Sequence, residues 1–402
     1  MTGEGGSLKL GYLFYRFLVS KSVFTVSWTL FEIFFLWSII EQYHSVFLTA
    51  LIPTISMAVQ LLATIPVGHV IDQLNKTVLN FLASVIFLGG ITLLFLGQHV
   101  FIIYIIVAIS SFANTLKGDT FFSLIKERVR NEGINKANSF NQMSVSLSSL
   151  IGIGFAGISL ILLSHYIVLF LLILSAVSIF TSIPVKSKIQ AFKTHERGRY
   201  RDIWAIFNQI KGFVAFGLVV NGMFVAITVY AAGLLKLYVH SGPLEYTLFE
   251  FSFPLGMLFG SLLSLSIIKN IDSYLVVGGL VFFYAPLILV LGLNRIAWID
   301  ILTAFLIGLL NPLINIPLMS RFTKVVPLNI FGRVSAFLRI FLSSSTPVMA
   351  ALLAFISLYY EVNVILTVIG LFMIPFSLLG LKVVRNFYKL ESSESSISSD
   401  QI

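Results

Sequence analysis

Two carboxylic acids lie inside long apolar runs of the sequence, where a charged group is costly. Glu32 is near the middle of the run 22–43, and Glu250 is close to the start of the run 246–268. A charged side chain within hydrocarbon costs about 2.5–3.5 kcal/mol on insertion scales, so such residues are functional candidates by default. A carboxyl group flanked by aromatic rings could bind a proton and release it again. We predict proton coupling through Glu32, with Glu250 as a helper; the alternatives are a structural, hydrogen-bonded glutamate and a side chain that reaches the lipid headgroups.

Polar and aromatic residues in other apolar runs could bind a small molecule. Asparagine amides would exchange hydrogen bonds with it, and flat aromatic rings would stack on it. The alternative for each asparagine is a hydrogen bond between helices, worth about 0.6–2 kcal/mol, and for each ring it is ordinary packing. The predicted substrate-cavity residues are Trp28, Asn114, Asn221, Tyr230 and Asn311.

Several other kinds of site have no support in the sequence. The six histidines are scattered without metal-ligand spacing, and the chain has no cysteine. It contains neither the Gly-x-x-x-x-Gly-Lys-Ser/Thr loop of P-loop ATPases nor a nucleophile elbow. We therefore predict no metal, no cofactor and no enzymatic activity.

The composition indicates a membrane protein. Hydrophobic residues make up 57% of the chain and charged residues 11%, whereas soluble domains average roughly 45–50% and 25%. Runs of about 20 apolar residues are long enough to cross a hydrocarbon core of roughly 30 Å. The sequence predicts an all-α membrane protein with twelve transmembrane helices, at 22–43, 46–67, 77–97, 100–122, 138–163, 165–184, 213–238, 246–268, 274–293, 297–319, 334–357 and 361–381.

The distribution of basic residues predicts the orientation. With both termini in the cytoplasm, only Lys236 and Arg295 of the 26 lysines and arginines fall on the outer side. The net charge of +9 is thus interpreted as cytoplasmic loops attracted to anionic lipid, and not as a nucleic-acid surface. We predict a monomeric, multi-pass protein of the cell membrane whose partners are the lipid bilayer, a small-molecule substrate and protons.

The sequence also contains a weak internal repeat. Residues 129–149 align without gaps on residues 326–346, with Phe140 on Phe337 and Ser146 on Ser343. This offset places span 5 on span 11, as expected for two six-helix halves, although chance similarity between apolar helices is the alternative. The predicted domains are an N-terminal half 1–184, a basic cytoplasmic linker 185–212, a C-terminal half 213–381 and a disordered tail 382–402. Parallel repeats with a central basic linker are similar to the major facilitator architecture.

The stretch 68–76 resembles the Gly-x-x-x-Asp-Arg-x-Gly-Arg-Arg signature between spans 2 and 3 of the major facilitator superfamily. Gly68, Asp72 and Lys76 match, while Gln73 replaces the first arginine and Asn75 the second glycine. The resemblance implies that the matching residues belong to a gate. The alternative is a simple capped turn in a short polar loop between two spans.

The same resemblance implies a partner for this gate. Asp72 is expected to meet the cytoplasmic end of span 11, near Arg333 or Arg339, when the inner side is closed. A long arginine side chain such as that of Arg339 could instead reach the membrane interface. The missing arginine at position 73 implies a looser gate than is usual in the superfamily.

Two further stretches resemble the drug-exporter branch related to macrolide efflux proteins. Residues 135–142 match its Ala-x-Ala-Asn-Ser-x-x-Gln pattern in part, and residues 326–334 match its Val-Pro-x-x-x-x-Gly-Arg-Val pattern. The stretch 152–157 departs from that branch because it lacks the proline of a Gly-Pro-x-x-Gly-Gly element.

The resemblance implies a secondary active transporter that works by alternating access. Our leading hypothesis is proton-coupled export, by antiport, of an amphipathic small molecule. The alternatives are uptake or facilitated diffusion of a polar metabolite by the same fold, and a non-transporting membrane sensor or partner subunit.

Overall fold

A computed structural model describes residues 12–128, 131–162, 166–184, 200–271, 274–325 and 331–399. These ranges form twelve α-helices and contain no β-strand. A 3₁₀ turn at Leu93–Leu96 follows α3, and a π-helical turn at Leu234–Tyr238 follows α7. The helices are α1 Tyr12–Tyr43, α2 Val46–Gln73, α3 Lys76–Thr92, α4 Val100–Arg128, α5 Asn131–Leu162, α6 Ile167–Ser182, α7 Tyr200–Gly233, α8 Pro243–Ile271, α9 Tyr274–Leu293, α10 Ala297–Val325, α11 Phe331–Ile356 and α12 Val362–Ser399.

The surface of these helices suits a lipid environment. Large apolar side chains are exposed on several of them, such as Ile65 at 80% and Phe101 at 75%. Nine helical stretches of the described residues are long and apolar enough to cross a membrane, and three shorter apolar stretches accompany them. A helix pairs its backbone N–H and C=O groups internally, as a hydrocarbon environment requires. Each predicted span corresponds to one helix.

The polar break at 68–76 is not the loop that we expected. Helix α2 continues to Gln73, and only Leu74 and Asn75 separate it from α3. The physical reason is packing: Ile71, one turn after Val67, is buried against Leu79 of α3, so an apolar stripe continues past the polar residues. The prediction of a loop from residue 68 was therefore wrong.

Two other predicted boundaries also differ from the structure. Residues 185–199 of the predicted linker lie outside the described residues, but from Tyr200 the chain is already part of α7. Helix α12 continues to Ser399, through most of the segment predicted to be a disordered tail. Spans were placed from apolar runs, whereas backbone hydrogen bonding in a helix continues beyond the apolar part.

The chain divides into two compact units. Unit 1 comprises Met1–Ser38 and Ile55–Thr194, and unit 2 comprises Ile39–Thr54 and His195–Ile402. Within unit 1, α3 packs against α4 and α6. Within unit 2, the main helix pairs are α7 with α11, α8 with α10, and α9 with α12.

Glycines bring α8 and α10 close together in unit 2. A Cβ atom added to Gly256 of α8 would lie 2.1 Å from the carbonyl oxygen of Phe305 in α10. A Cβ added to Gly308 of α10 would meet the carbonyl oxygen of Phe253 at the same distance. Small residues that allow backbones to approach are the usual means of packing helices in lipid, where no hydrophobic effect drives them together.

We expect Gly256→Ala to destabilise the protein, because its methyl group would overlap backbone atoms that cannot move without separating α8 from α10. The measurement is the apparent melting temperature of the purified protein in detergent, read from the loss of the monodisperse peak after heating. Gly279→Ala is the matched control, since a Cβ there has no neighbour within 4 Å. Equal melting temperatures for the two variants would contradict the predicted close contact.

Candidate functional site

A cavity of about 210 Å³ lies within unit 2, between α7, α8 and α10. The α7 residues recur at intervals of three and four, so they share one face of the helix. The α8 residues Phe249, Glu250 and Phe253 also lie within one turn of each other on one face of their helix. The lining residues are Asn221, Phe224, Val225, Ile227 and Thr228 from α7, Phe249, Glu250 and Phe253 from α8, and Asn311 from α10.

Local structure affects two of these polar residues. Pro254 lies inside α8 and has no N–H group, so it cannot donate the regular helical hydrogen bond to the Glu250 carbonyl. On α10, Asn315 Nδ2 donates a hydrogen bond to Asn311 Oδ1 at a distance of 3.0 Å. That bond orients the Asn311 amide group and leaves its own N–H donors available.

The cavity combines one carboxyl group, two carboxamides and one hydroxyl with three phenylalanine rings. Apolar walls with a few polar groups are typical of small-molecule sites, in which the polar groups fix the orientation of the ligand. A carboxylate between aromatic rings favours a ligand that carries a positive charge on an apolar body. The arrangement therefore offers polar groups for hydrogen bonds and aromatic rings for apolar contact within one cavity.

Three predicted site residues come together here, because Glu250, Asn221 and Asn311 all line the cavity. Tyr230 is on the same helix as Asn221 but does not line it. The Tyr230 ring is fully buried, and its hydroxyl donates a hydrogen bond of 2.6 Å to the Leu353 carbonyl of α11. Tyr230 thus joins α7 to α11, and we leave it out of the proposed site.

The other predicted binding and coupling residues belong to unit 1. Glu32 is half-buried in α1, and no hydrogen bond or ion pair links its carboxyl group to another described residue. Trp28, one turn earlier, is buried and stacks on Phe31 with ring centroids 6.0 Å apart. Asn114 is half-buried in α4.

The predicted gate residues are only partly described. Gly68 is half-buried near the end of α2, and Lys76 is the first residue of α3. The side chains of Asp72, Arg333 and Arg339 lie outside the described residues, so their predicted meeting stays a prediction. Asn75, which replaces the signature glycine, caps α3: its Oδ1 accepts a hydrogen bond of 2.9 Å from the Thr77 backbone N–H.

A buried lysine is a feature that sequence reasoning missed. Lys117 of α4 is 1% exposed, and its Nζ donates hydrogen bonds to Ser84 Oγ of α3 at 2.6 Å and to Ser182 Oγ of α6 at 3.1 Å. The nitrogen also lies 5.1 Å from the centroid of the Phe24 ring of α1. The available signal was the recurrence of serines at intervals of three and four residues in α6, at Ser175, Ser178 and Ser182, which places them on one face of the helix. Only packing shows that serines of different helices meet around one lysine.

We expect Lys117→Ala to lower the apparent melting temperature, because it removes the hydrogen bonds from Nζ to Ser84 and Ser182 and leaves a gap where the long buried side chain was packed. Each lost hydrogen bond typically contributes about 0.5–1.5 kcal/mol. The same heating assay measures the effect, with the exposed Lys211→Ala as control. A Lys117→Ala protein as stable as the Lys211→Ala protein would show that the cluster does not hold the four helices together.

Comparison with known proteins identifies the fold. The sequence profile of the Major Facilitator Superfamily matches residues 17–351. The chain is 30% identical over 174 residues to the uncharacterized MFS-type transporter YkuC of Bacillus subtilis (strain 168). That alignment spans 40% of this chain and 40% of the relative.

Solved structures of similar fold cover nearly the whole chain. The nucleoside transporter NupG has a TM-score of 0.69 at 13% identity, and the match covers 94% of this chain and 99% of that chain. The peptide transporter POT in complex with sulfate has a TM-score of 0.72 at 14% identity, with 97% of each chain covered. A bacterial homolog of the human lysosomal transporter Spinster, inward-facing and unoccupied, has a TM-score of 0.68 at 12% identity, covering 94% of this chain and 98% of that one. At these identities the likeness shows the fold alone, and it confirms the predicted all-α membrane fold.

Proposed function

The chain belongs to the Major Facilitator Superfamily, and on that premise we propose that it exports an amphipathic amine in exchange for protons. Membership of this family indicates a multi-pass membrane transporter. The finer proposal is supported by the cavity of unit 2, where Glu250 lies with Asn221 and Asn311 among phenylalanine rings. Proton antiport and export rest on the intramembrane carboxyl groups and on the exporter-like stretches 135–142 and 326–334.

The proposed cycle uses alternating access. A cationic substrate would bind with its charge near Glu250, and a proton would be carried by Glu32. A carboxyl group in an apolar surrounding is expensive to keep charged, so it is a residue type that takes up a proton at one step and releases it at another. In such an exchange, the protein would change from one open side to the other with substrate bound and would return with a proton bound.

The proposed placement in the cell membrane has both termini in the cytoplasm. The support is the charge bias, since only Lys236 and Arg295 of the 26 basic residues would face outward. In that orientation Gly68, Asp72, Lys76, Arg333 and Arg339 all fall on the cytoplasmic side. Their role as an inner gate is proposed on the resemblance to the superfamily signature.

Reconstituted liposomes test the function directly. We expect a lipophilic amine to move across the membrane of protein-containing liposomes faster when a pH gradient is imposed. Protein-free liposomes are the control, because amines also redistribute by themselves across a pH gradient. A thermal-shift screen of sugars, carboxylates and lipophilic cations runs alongside. Stabilisation by a sugar or carboxylate, with no protein-dependent amine flux, would favour uptake of a polar metabolite instead.

A further inference from the structure

We propose that a second cavity in unit 2 is a binding site for an organic ammonium ion, separate from the proposed transport site. Its volume is about 580 Å³, within the range of roughly 300–1,000 Å³ typical of small-molecule sites. Three parts of the chain form it: the connection between α1 and α2, the π-helical end of α7, and the connection between α11 and α12. The charge bias predicts that all three lie on the outer side of the membrane.

Four of the residues that line this cavity are aromatic. Phe47, Tyr238, Tyr359 and Tyr360 all line it. The face of an aromatic ring attracts a cation through its quadrupole, and more strongly where water is excluded. Tyr238 already makes such a contact, because the guanidinium carbon of Arg295 lies 5.1 Å from its ring centroid. The protein's own structure therefore already contains a cation packed against one of these rings.

The charge of the lining selects a cation. Among the described residues that line the cavity, Glu361 is the one carboxylate, and they include no lysine or arginine; His44 is also in the lining. The hydrogen bond between Arg295 and Tyr238 raises the pKa of Arg295, and the carboxylate of Glu361 adds to that effect. Glu361 thus attracts positive charge toward Tyr238. The nearby Lys236 does not cancel this attraction, since its Nζ pairs with Glu41 at 2.9 Å.

An amide oxygen favours an ammonium ion that carries N–H groups. Asn363 lines the cavity, and its Oδ1 is buried without a hydrogen-bond partner among the described residues. A buried acceptor without a donor is uncommon in proteins, because it has lost its hydrogen bonds to water without gaining others. A small rotation of the amide group would turn this oxygen to a ligand N–H. The ligand class that uses the rings, Glu361 and Asn363 together is a primary or secondary amine on an apolar body.

Arg295 gives the site a built-in competitor. Its guanidinium occupies the face of Tyr238 and lies within the field of Glu361, which are the groups an incoming amine would use. Removing the arginine charge should therefore strengthen binding of the amine. A merely structural cavity would not respond in that direction.

The chain contains no cysteine, so a single introduced thiol can report on the cavity. Ser357→Cys places it in the lining, and Thr92→Cys, exposed at the end of α3 in unit 1, is the control. The measurement is the rate at which fluorescein maleimide modifies each thiol in detergent, with 2-phenylethylamine or 2-phenylethanol present. We expect the amine to slow modification of Ser357→Cys at least fivefold, and to leave Thr92→Cys unaffected. The alcohol should protect neither thiol.

Variants made in the Ser357→Cys chain complete the test. Glu361→Gln should raise the half-protecting amine concentration about tenfold, and Arg295→Gln should lower it. Glu245→Gln should leave it unchanged, because Glu245 is not among the residues that line the cavity. Equal protection by the alcohol, no protection by the amine, or no response to Glu361→Gln would overturn the proposal. The experiment measures binding only, so its result does not depend on whether the protein transports amines.

Discussion

Glu32→Gln is expected to abolish the effect of a pH gradient on transport, with at least a tenfold loss of the gradient-driven flux. Glutamine has nearly the same shape but cannot bind and release a proton. In the structure Glu32 is half-buried in α1 without a hydrogen-bond or ionic partner among the described residues, so the substitution breaks no hydrogen bond or ion pair that the structure describes. Exchange of substrate down its own gradient, which needs no net proton movement, should persist.

The measurement compares substrate flux in liposomes with and without an imposed pH gradient. Glu41→Gln is the matched control, because Glu41 is on the same helix but is largely exposed and pairs with Lys236. Surface ion pairs contribute little, typically 0–1 kcal/mol, so this control should keep its coupling. Full transport with full dependence on the gradient in Glu32→Gln liposomes would exclude Glu32 as the proton carrier.

Glu250→Gln is expected to weaken binding of a cationic substrate by about 10- to 150-fold. A hydrogen bond to a charged group contributes roughly 1.5–3 kcal/mol, and the cavity offers one carboxyl group for this purpose. Glutamine keeps the size of the side chain and removes its charge. Affinity for a neutral molecule of the same shape should change little, because the rings and the asparagines remain.

Binding is measured by titration of the purified protein with an amine and with its neutral isostere. Glu245→Gln is the control: Glu245 lies in the first turn of the same helix and accepts a hydrogen bond from the Gly242 N–H at 3.1 Å, which glutamine can also accept. A loss of affinity that is equal for the amine and the neutral molecule would mean that Glu250 shapes the cavity without recognising charge.

The two glutamates divide the proposed mechanism between substrate recognition and proton coupling. Glu250 lines a cavity with other polar groups, whereas Glu32 stands among aromatic residues such as Trp28 and Phe31. If the division holds, Glu250→Gln changes affinity in the absence of any gradient, and Glu32→Gln changes only the response to a gradient. A variant that lost both properties at once would point to a single shared role.

The sequence alone determined the class of the protein. The number of helices, their order and the membrane setting follow from runs of about 20 apolar residues, which are local properties of the chain. The superfamily was identifiable because twelve runs, the repeat of 129–149 at 326–346 and the partial signature at 68–76 agree with one another. The exporter branch rests on about thirty residues and stays a prediction.

The tertiary structure decided which polar residues work together. An apolar run shows no preferred face when most of its positions are hydrophobic, so the rotation of each helix is set by packing against its neighbours. Rotation places Asn221 in the cavity with Glu250 and turns Tyr230, nine residues later on the same helix, to bond with Leu353 of α11. Packing also explains why α2 extends to Gln73 and why serines of different helices contact Lys117. Contacts between residues far apart in the chain decide these features, and a pattern read along the chain cannot contain them.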